Sequence, residues 1–277
     1  MNLLIHEWDV PTVNFLGAID DGAGRWAFGY QNDAAHPNDA GHTKMFYSLL
    51  PSLFDALSNG KPQPVKINGT YLSMGKSVTS NQLSFVPENI VHSFTQSFNI
   101  RTSHPGTIAS FTQGNLKGKI SIAVSTGYAV FNSPNGGTIT DNRIVNDGQW
   151  HTITLTHFYA KGETILYVDS VEAGRINEKL TATNFFLNDP NAPFSMDNRD
   201  WFFYRSGMND EEITQLSRGK MLKSSLELYA PLDGQAVLGF DTLINLAQAP
   251  TRPKQSAHGK VYIFLTAMET GAMQLTG

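Results

Sequence analysis

From about residue 70 onward, apolar and polar residues alternate with period two in a dozen short runs, which restricts this chain to β-architecture. The runs lie near 70–73, 83–86, 92–101, 106–113, 119–125, 128–132, 137–144, 150–159, 163–168, 171–176, 201–206 and 226–231. Turn chemistry separates them: Ser125-Thr126-Gly127, Pro134-Asn135-Gly136-Gly137, Asp147-Gly148 and Asp169-Ser170. One short helix interrupts the series. Asn209 can cap it, Glu212 stands three residues on, and Ile213 and Leu216 share a face. A dozen short strands at this spacing predict two antiparallel sheets, a mainly β sandwich or jelly roll spanning residues 70–248. Charged residues are only 16% of the 277, beside 24 Gly and 17 Phe, which favours sheets with many turns over a helical bundle.

Residues 1–62 follow another pattern. Val10 to Leu16 reads as a short strand and Asp20-Asp21-Gly22-Ala23-Gly24 as a loop. A helix is expected from Asn38 or Asp39, with Asp39 as its cap. Its apolar residues, from Met45 and Phe46 through Leu50 and Phe54 to Leu57, recur at helical spacing. Pro51 should kink or split it, and Asn59-Gly60 should stop it. Leaving the 45–57 face in water would be costly, so it should dock on the sandwich or form a homo-oligomer contact. Residues 63–69 read as a linker. Residues 249–277 form a tail of unassigned role in which Val261–Leu265 could add a strand.

A net charge of −4 and a pI near 6.0 recommend neither nucleic acid nor an anionic membrane as partner. Without cysteine there can be no disulfide or thiolate metal site, and the compartment stays open. No window approaches the roughly 18 apolar residues of a membrane span. Met1–Ile5 is too short for a signal-peptide core, so an exported parent would have carried its signal elsewhere.

Sugar recognition needs an aromatic plane beside amides or carboxylates. Tyr128, between Gly127 and a strand, is a candidate platform, as are Trp26 and Tyr30. Trp201 and Tyr204 share an aromatic strand on which only alternate residues face inward; the core is their default, with Trp201 kept as a candidate contact. Trp150 is expected in the core. Glycosidase chemistry would show paired carboxylates as E-x-D-x-x-E, a string that does not occur; Glu163, Asp169 and Glu172 read as solvated hairpin charges. No cofactor is required. Calcium is conceivable at the loops Asn188-Asp189-Pro190-Asn191 and Asp197-Asn198-Arg199-Asp200, with Asp189, Asp197 and Asp200 as oxygen ligands. The eight His show no HxH or HxxxH pairing suited to zinc.

Two resemblances add to these readings. Ser97-Phe98-Asn99-Ile100-Arg101, Asp147-Gly148-Gln149-Trp150-His151, Leu166-Tyr167-Val168-Asp169 and Phe202-Phe203-Tyr204-Arg205 resemble a laminin-G-like, concanavalin-A-type module. Ser170 departs from the usual Asp-Gly at its hairpin and should be held in a less favourable turn. The run Asp33-Ala34-Ala35-His36-Pro37-Asn38-Asp39-Ala40-Gly41-His42 resembles the end of an SGNH (GDSL-type) esterase domain. That resemblance implies Asp33 and His36 as triad acid and base, without the Gly-Asp-Ser block that supplies the nucleophile. Together they imply a carbohydrate-binding jelly roll from a modular bacterial carbohydrate esterase acting on plant or algal polysaccharide. The alternatives are a hydrolase, esterase or glycosidase, and a structural module packed on an esterase domain.

Overall fold

The structure is a computed structural model that describes residues 2–68, 71–74, 82–189, 195–232 and 243–255. Its helices are α1 (Asn2–Glu7), α2 (Leu16–Ile19), α3 (Asp39–Tyr47), α4 (Leu53–Ser58) and α5 (Asp210–Ser217). The strands are β1 (Leu72–Met74), β2 (Leu83–Phe85), β3 (Phe94–Arg101), β4 (Gly106–Gln113), β5 (Leu116–Ile122), β6 (Tyr128–Asn132) and β7 (Thr138–Ile144). They continue with β8 (Trp150–Phe158), β9 (Glu163–Val168), β10 (Val171–Asn177), β11 (Asn184–Leu187), β12 (Met196–Tyr204), β13 (Leu226–Ala230) and β14 (Lys254–Gln255).

Two antiparallel sheets face each other, as the alternation predicts. The first runs β1-β12-β3-β8-β9-β10, with β13 also paired to β12; the second runs β14-β2-β11-β4-β5-β6-β7. Between them lies one apolar core. Phe94, Phe98, Ile153, Leu155, Trp201 and Phe203 enter it from the first sheet, and Phe85, Phe111, Phe131 and Phe185 from the second. Phe185 meets Phe203 at 4.5 Å and Phe94 edge-on at 5.2 Å between ring centroids. Burying each such ring stabilises the sandwich by about 1.5–3 kcal/mol.

Strands β11 and β14 were not legible in the alternation, and β12 starts five residues before the expected 201. The run Asp197–Asp200, expected as a calcium-binding rim loop, is part of β12. Its polar residues alternate because Asp197 and Arg199 face outward while Met196 and Asn198 face inward. Val10–Leu16 is not a strand. Pro11 lacks an N–H for a ladder, and Thr12 and Asn14 instead make single bonds to Ser225, from Ser225 N–H to Thr12 O at 3.0 Å and from Asn14 N–H to Ser225 Oγ at 2.9 Å. The candidate strand at Val261–Leu265 lies outside the described residues.

Pro51 splits the expected N-terminal helix into α3 and α4. Asn38 rather than Asp39 caps α3, its Oδ1 accepting from Gly41 N–H at 3.0 Å. The apolar face is divided: Leu50 and Leu53 pack with Ala249, while Phe46 and Phe54 remain exposed. The segment before residue 62 lies against the sandwich through buried polar contacts. His6 Nδ1 accepts from Ser224 N–H at 3.0 Å, so Nε2–H donates to Glu212 Oε1 at 2.9 Å. Asn14 Nδ2 donates to the same oxygen at 2.9 Å. Glu212 also closes the capping box with Asn209 that the sequence announces for α5. Gly17 and Gly207 touch backbone to backbone; a Cβ on Gly17 would stand 2.0 Å from Gly207 O.

The β9–β10 hairpin turns on two residues, Asp169 (φ 50°) and Ser170 (φ 65°), both left-handed. This is the type I′ geometry that prefers Gly in the second place. Ser170→Gly should therefore stabilise the protein by about 0.5–1 kcal/mol, seen as a melting temperature about 1–4 °C higher. A lower melting temperature would show that the Ser170 hydroxyl, which donates to Asp169 O, outweighs the strain.

Candidate functional site: a cleft on the outer face of the first sheet

Because Ile153 and Leu155 face the core, Trp150, Thr152, Thr154 and Thr156 of β8 face outward, with Thr95, Ser97 and Asn99 beside them on β3. These side chains form a ladder: Thr95 with Thr156 and Ser97 with Thr154 at 2.8 Å, and Thr152 Oγ1 donating to Asn99 Oδ1 at 2.6 Å. At one end α5 covers it. Met208, Ile213 and Leu216 pack there on Ile165, Tyr167, Phe202 and Tyr204. Where that cover stops, a cleft of about 470 Å³ opens. Asn99, Trp150, Thr152, Asp169, Arg199 and Asp200 form its floor, with Lys66–Asn68 and Leu216–Gly219 as walls.

A bulge places two of these residues. Arg199 opposes Asn99 and Phe202 opposes Ser97, so β12 carries one extra residue between them. Asp200 takes up the difference at φ 58°. Its carboxylate receives Asn99 Nδ2 at 3.2 Å, Tyr229 Oη at 3.2 Å and the Lys66 ammonium at 3.0 Å. Tyr229 Oη in turn accepts from Ile67 N–H at 2.9 Å, tying the Lys66 wall to the floor.

Asp169 is as firmly held. It accepts from Thr152 N–H at 2.8 Å and from His151 Nδ1 at 2.8 Å. Burial alone would raise its pKa, but the bonds from His151 and Thr152 prevail and hold it below the usual carboxylate range. His151 also reaches Asp147 with Nε2 at 3.1 Å. The hydrogen bond to Asp169 raises the imidazole pKa above its ordinary value, against burial and with help from Asp147. Protonated, the ring donates to both carboxylates.

Trp150 is half-buried at the cleft rather than in the core. The parity of Ile153 and Leu155 was the signal that could have placed it outward. Its ring is held by Arg199 at 4.2 Å and Arg101 at 4.9 Å from the centroid, and edge-on by Tyr71 at 5.6 Å. Arg101 is paired with Asp197 at 2.7 Å, whereas Arg199 has no carboxylate partner among the described residues.

The aromatic candidates lie elsewhere. Trp201 is fully buried, because the bulge turns it and Phe203 inward, so it cannot meet a ligand from solvent. Tyr30 is buried against Ala27 and Ala160, and its hydroxyl receives Lys179 Nζ at 3.3 Å. Trp26 donates its indole N–H to Ala34 O at 3.1 Å. Tyr128 lies half-buried on β6 of the second sheet, away from the cleft. Asp33 and His36 do meet: His36 Nδ1 is 3.0 Å from both Asp33 oxygens, and the pair is exposed. The Ala35 N–H, then His36, holds the Asp33 carboxyl low. Among the described residues no serine hydroxyl bonds to that imidazole.

The calcium candidates do not form a cage. Asp197 is engaged by Arg101 and Ser73, and Asp200 by Lys66. Asp189 sits beyond β11 of the other sheet; Pro190 and Asn191 lie outside the described residues. Among the described residues no group of three or more His, Asp or Glu is placed to hold a metal ion, and cation-neutralised carboxylates do not suit a hard cation.

No protein-family model and no curated protein matches the chain. Solved structures do match. A protein from Bacteroides ovatus, provisionally assigned to carbohydrate binding, superimposes with a TM-score of 0.54 at 16% identity over 70% of this chain. This chain spans 60% of that structure's length. A heptameric SAP-like pentraxin from Limulus polyphemus gives a TM-score of 0.45 at 14% identity, over 56% of this chain and 84% of its own. The binding domain of botulinum neurotoxin DC gives 0.40 at 19% identity, over 55% of this chain and 47% of its own. At such identities the likeness concerns architecture, and it agrees with the sheets described above: the chain has a jelly-roll sandwich fold.

Proposed function

We propose that the protein binds carbohydrate in the cleft on the first sheet. The observation that carries this is the convergence of a rigidly held Trp150 with the Asn99 amide, the Thr152 hydroxyl and the Asp169 carboxylate. A pyranose offers an apolar face and a rim of hydroxyls, which such a group matches. Trp150, Asn99 and Thr152 stand on paired strands, and Asp169, in the β9–β10 turn, is held by Thr152 N–H and His151, so little ordering is needed on binding. The provisional assignment of the Bacteroides ovatus protein supports the same reading. The finer expectation, service to an esterase of plant or algal polysaccharide, rests on the Asp33–His36 pair alone.

The test is a glycan array followed by calorimetric titration of the best oligosaccharide. Saturable binding without release of product is expected, and Trp150→Ala should weaken it about 10–100-fold. Absence of binding by folded protein would overturn the proposal. Turnover of acetylated oligosaccharide that is lost in His36→Ala would replace it with the esterase reading.

A further inference from the structure

We infer that this cleft selects anionic glycans, those bearing a carboxylate or sulfate, through Arg199 with Arg218. The inference rests on the carbohydrate reading and deepens it. Three cationic side chains line the cleft, those of Lys66, Arg199 and Arg218, and two carboxylates, those of Asp169 and Asp200. Both carboxylates are engaged from within: Lys66 pairs with Asp200 at 3.0 Å, and His151, shared with Asp147, bonds Asp169 at 2.8 Å. The neighbouring Arg101 is matched by Asp197. Arg199 and Arg218 have no acid partner among the described residues. The unmatched charge in the cleft is therefore positive, although the whole chain carries −4.

Arg199 is not a loose surface cation. Its guanidinium carbon lies over the Trp150 ring, 4.2 Å from the centroid, and its Nε is buried without a hydrogen-bond partner. A half-buried guanidinium without an anion has lost part of its hydration and gained nothing ionic for it. A planar fork held over an aromatic ring suits two-point recognition of a carboxylate or sulfate. Arg218, exposed at the C-terminal end of α5, adds a second cation on the opposite wall. Asn99 and Thr152 lie within the same floor to meet ring hydroxyls of the same sugar.

The experiment titrates the full chain with an oligogalacturonate, its methyl-esterified neutral counterpart and a sulfated galactan oligomer, at low and at moderate salt. At least one charged oligomer should bind tenfold or more tighter than the neutral one, and salt should weaken only the charged arm. Arg199→Gln should bring the charged-to-neutral ratio close to one. Arg199→Lys should keep part of it, and Arg218→Gln should lower it several-fold. Thermal melting establishes that each variant is folded, and Arg218→Gln, at an exposed position, keeps the test decisive if Arg199→Gln is not. Whichever charged oligomer loses more to Arg199→Gln identifies carboxylate or sulfate as the group read. Equal affinity for charged and neutral oligomers, or a ratio unmoved in both glutamine variants, would overturn this inference while leaving carbohydrate binding in place. Absence of binding to every oligomer, here and on the array, would remove both.

Discussion

Arg205→Ala should destabilise the protein by about 3–5 kcal/mol. Arg205 and Glu227 are 1% and 0% exposed and meet at 2.8 Å. The guanidinium also donates from Nε to Tyr47 O at 2.9 Å and from Nη2 to Ile90 O at 2.6 Å. It therefore joins the residue after β12 to the end of α3 and to the loop before β3. Glu227 further accepts from Glu88 N–H at 2.6 Å, and Glu88 holds the N–H of Ser52 at 3.0 Å and its hydroxyl at 2.7 Å, ahead of α4. Burial pushes the Glu227 carboxyl up even with Arg205 beside it. Alanine would leave that carboxylate with no cation in a dry site and free two backbone carbonyls. The cost comes from stranding one charge, not from the worth of the pair, so Arg205→Met with Glu227→Leu should recover a large part of it. Urea denaturation of the single and double variants measures both. A loss below about 1 kcal/mol in Arg205→Ala would show that water reaches the site.

Acid should weaken the fold well before its carboxylates titrate. His157 is fully buried between Phe94 and Tyr159, and burial, the largest effect, pushes its pKa down to about 3. Its Nε2 accepts from Leu180 N–H at 3.1 Å, so Nδ1–H donates to Thr164 Oγ1 at 2.9 Å. Both bonds suit the neutral ring. The unfolded chain takes up this proton near pH 6.5, whereas the folded one does not until about pH 3. The stability held through this residue is therefore full above pH 6.5 and falls steadily below it, while His151 and Glu227, whose pKa values are raised, act in the opposite direction. The loss from this residue is about 3 kcal/mol between pH 6.5 and 4. His92, lowered to about 4 by burial and then by Lys44 and Arg205, acts in the same direction. It is half exposed, so its share is smaller. Asp33, Asp147 and Asp169, whose pKa values are lowered, contribute only below the ordinary aspartate value of 3.8. Unfolding free energies at pH 7, 5.5 and 4 should show a slope that His157→Gln flattens, although that variant starts from lower stability at pH 7. An unchanged slope would falsify the assignment to His157.

Much of this fold was legible because its causes are local. Period-two alternation announced twelve strands, and each has a counterpart within a few residues, since side chains at i and i+2 must share a face whatever their partner. Pro51 broke the helix and Asn209 with Glu212 capped another, because a missing N–H and a reachable backbone donor act within one turn. The unfavourable turn at Ser170 was visible for the same reason. Strand β11 escaped notice: four residues, Asn-Phe-Phe-Leu, are too few to set a period, and its identity comes from lying between β2 and β4.

The cleft was not legible, and tertiary structure alone decided it. Its floor and walls come from segments near residues 66, 99, 150, 169, 199 and 217, which no spacing rule connects. One extra residue at Asp200 turned Trp201 into the core and Arg199 out beside Trp150. A bulge depends on how β12 registers against β3, a non-local pairing that composition does not encode. The sequence could say which residues alternate; only the packed sheets determined which of the two faces each set would see, and which charges would meet there unpaired.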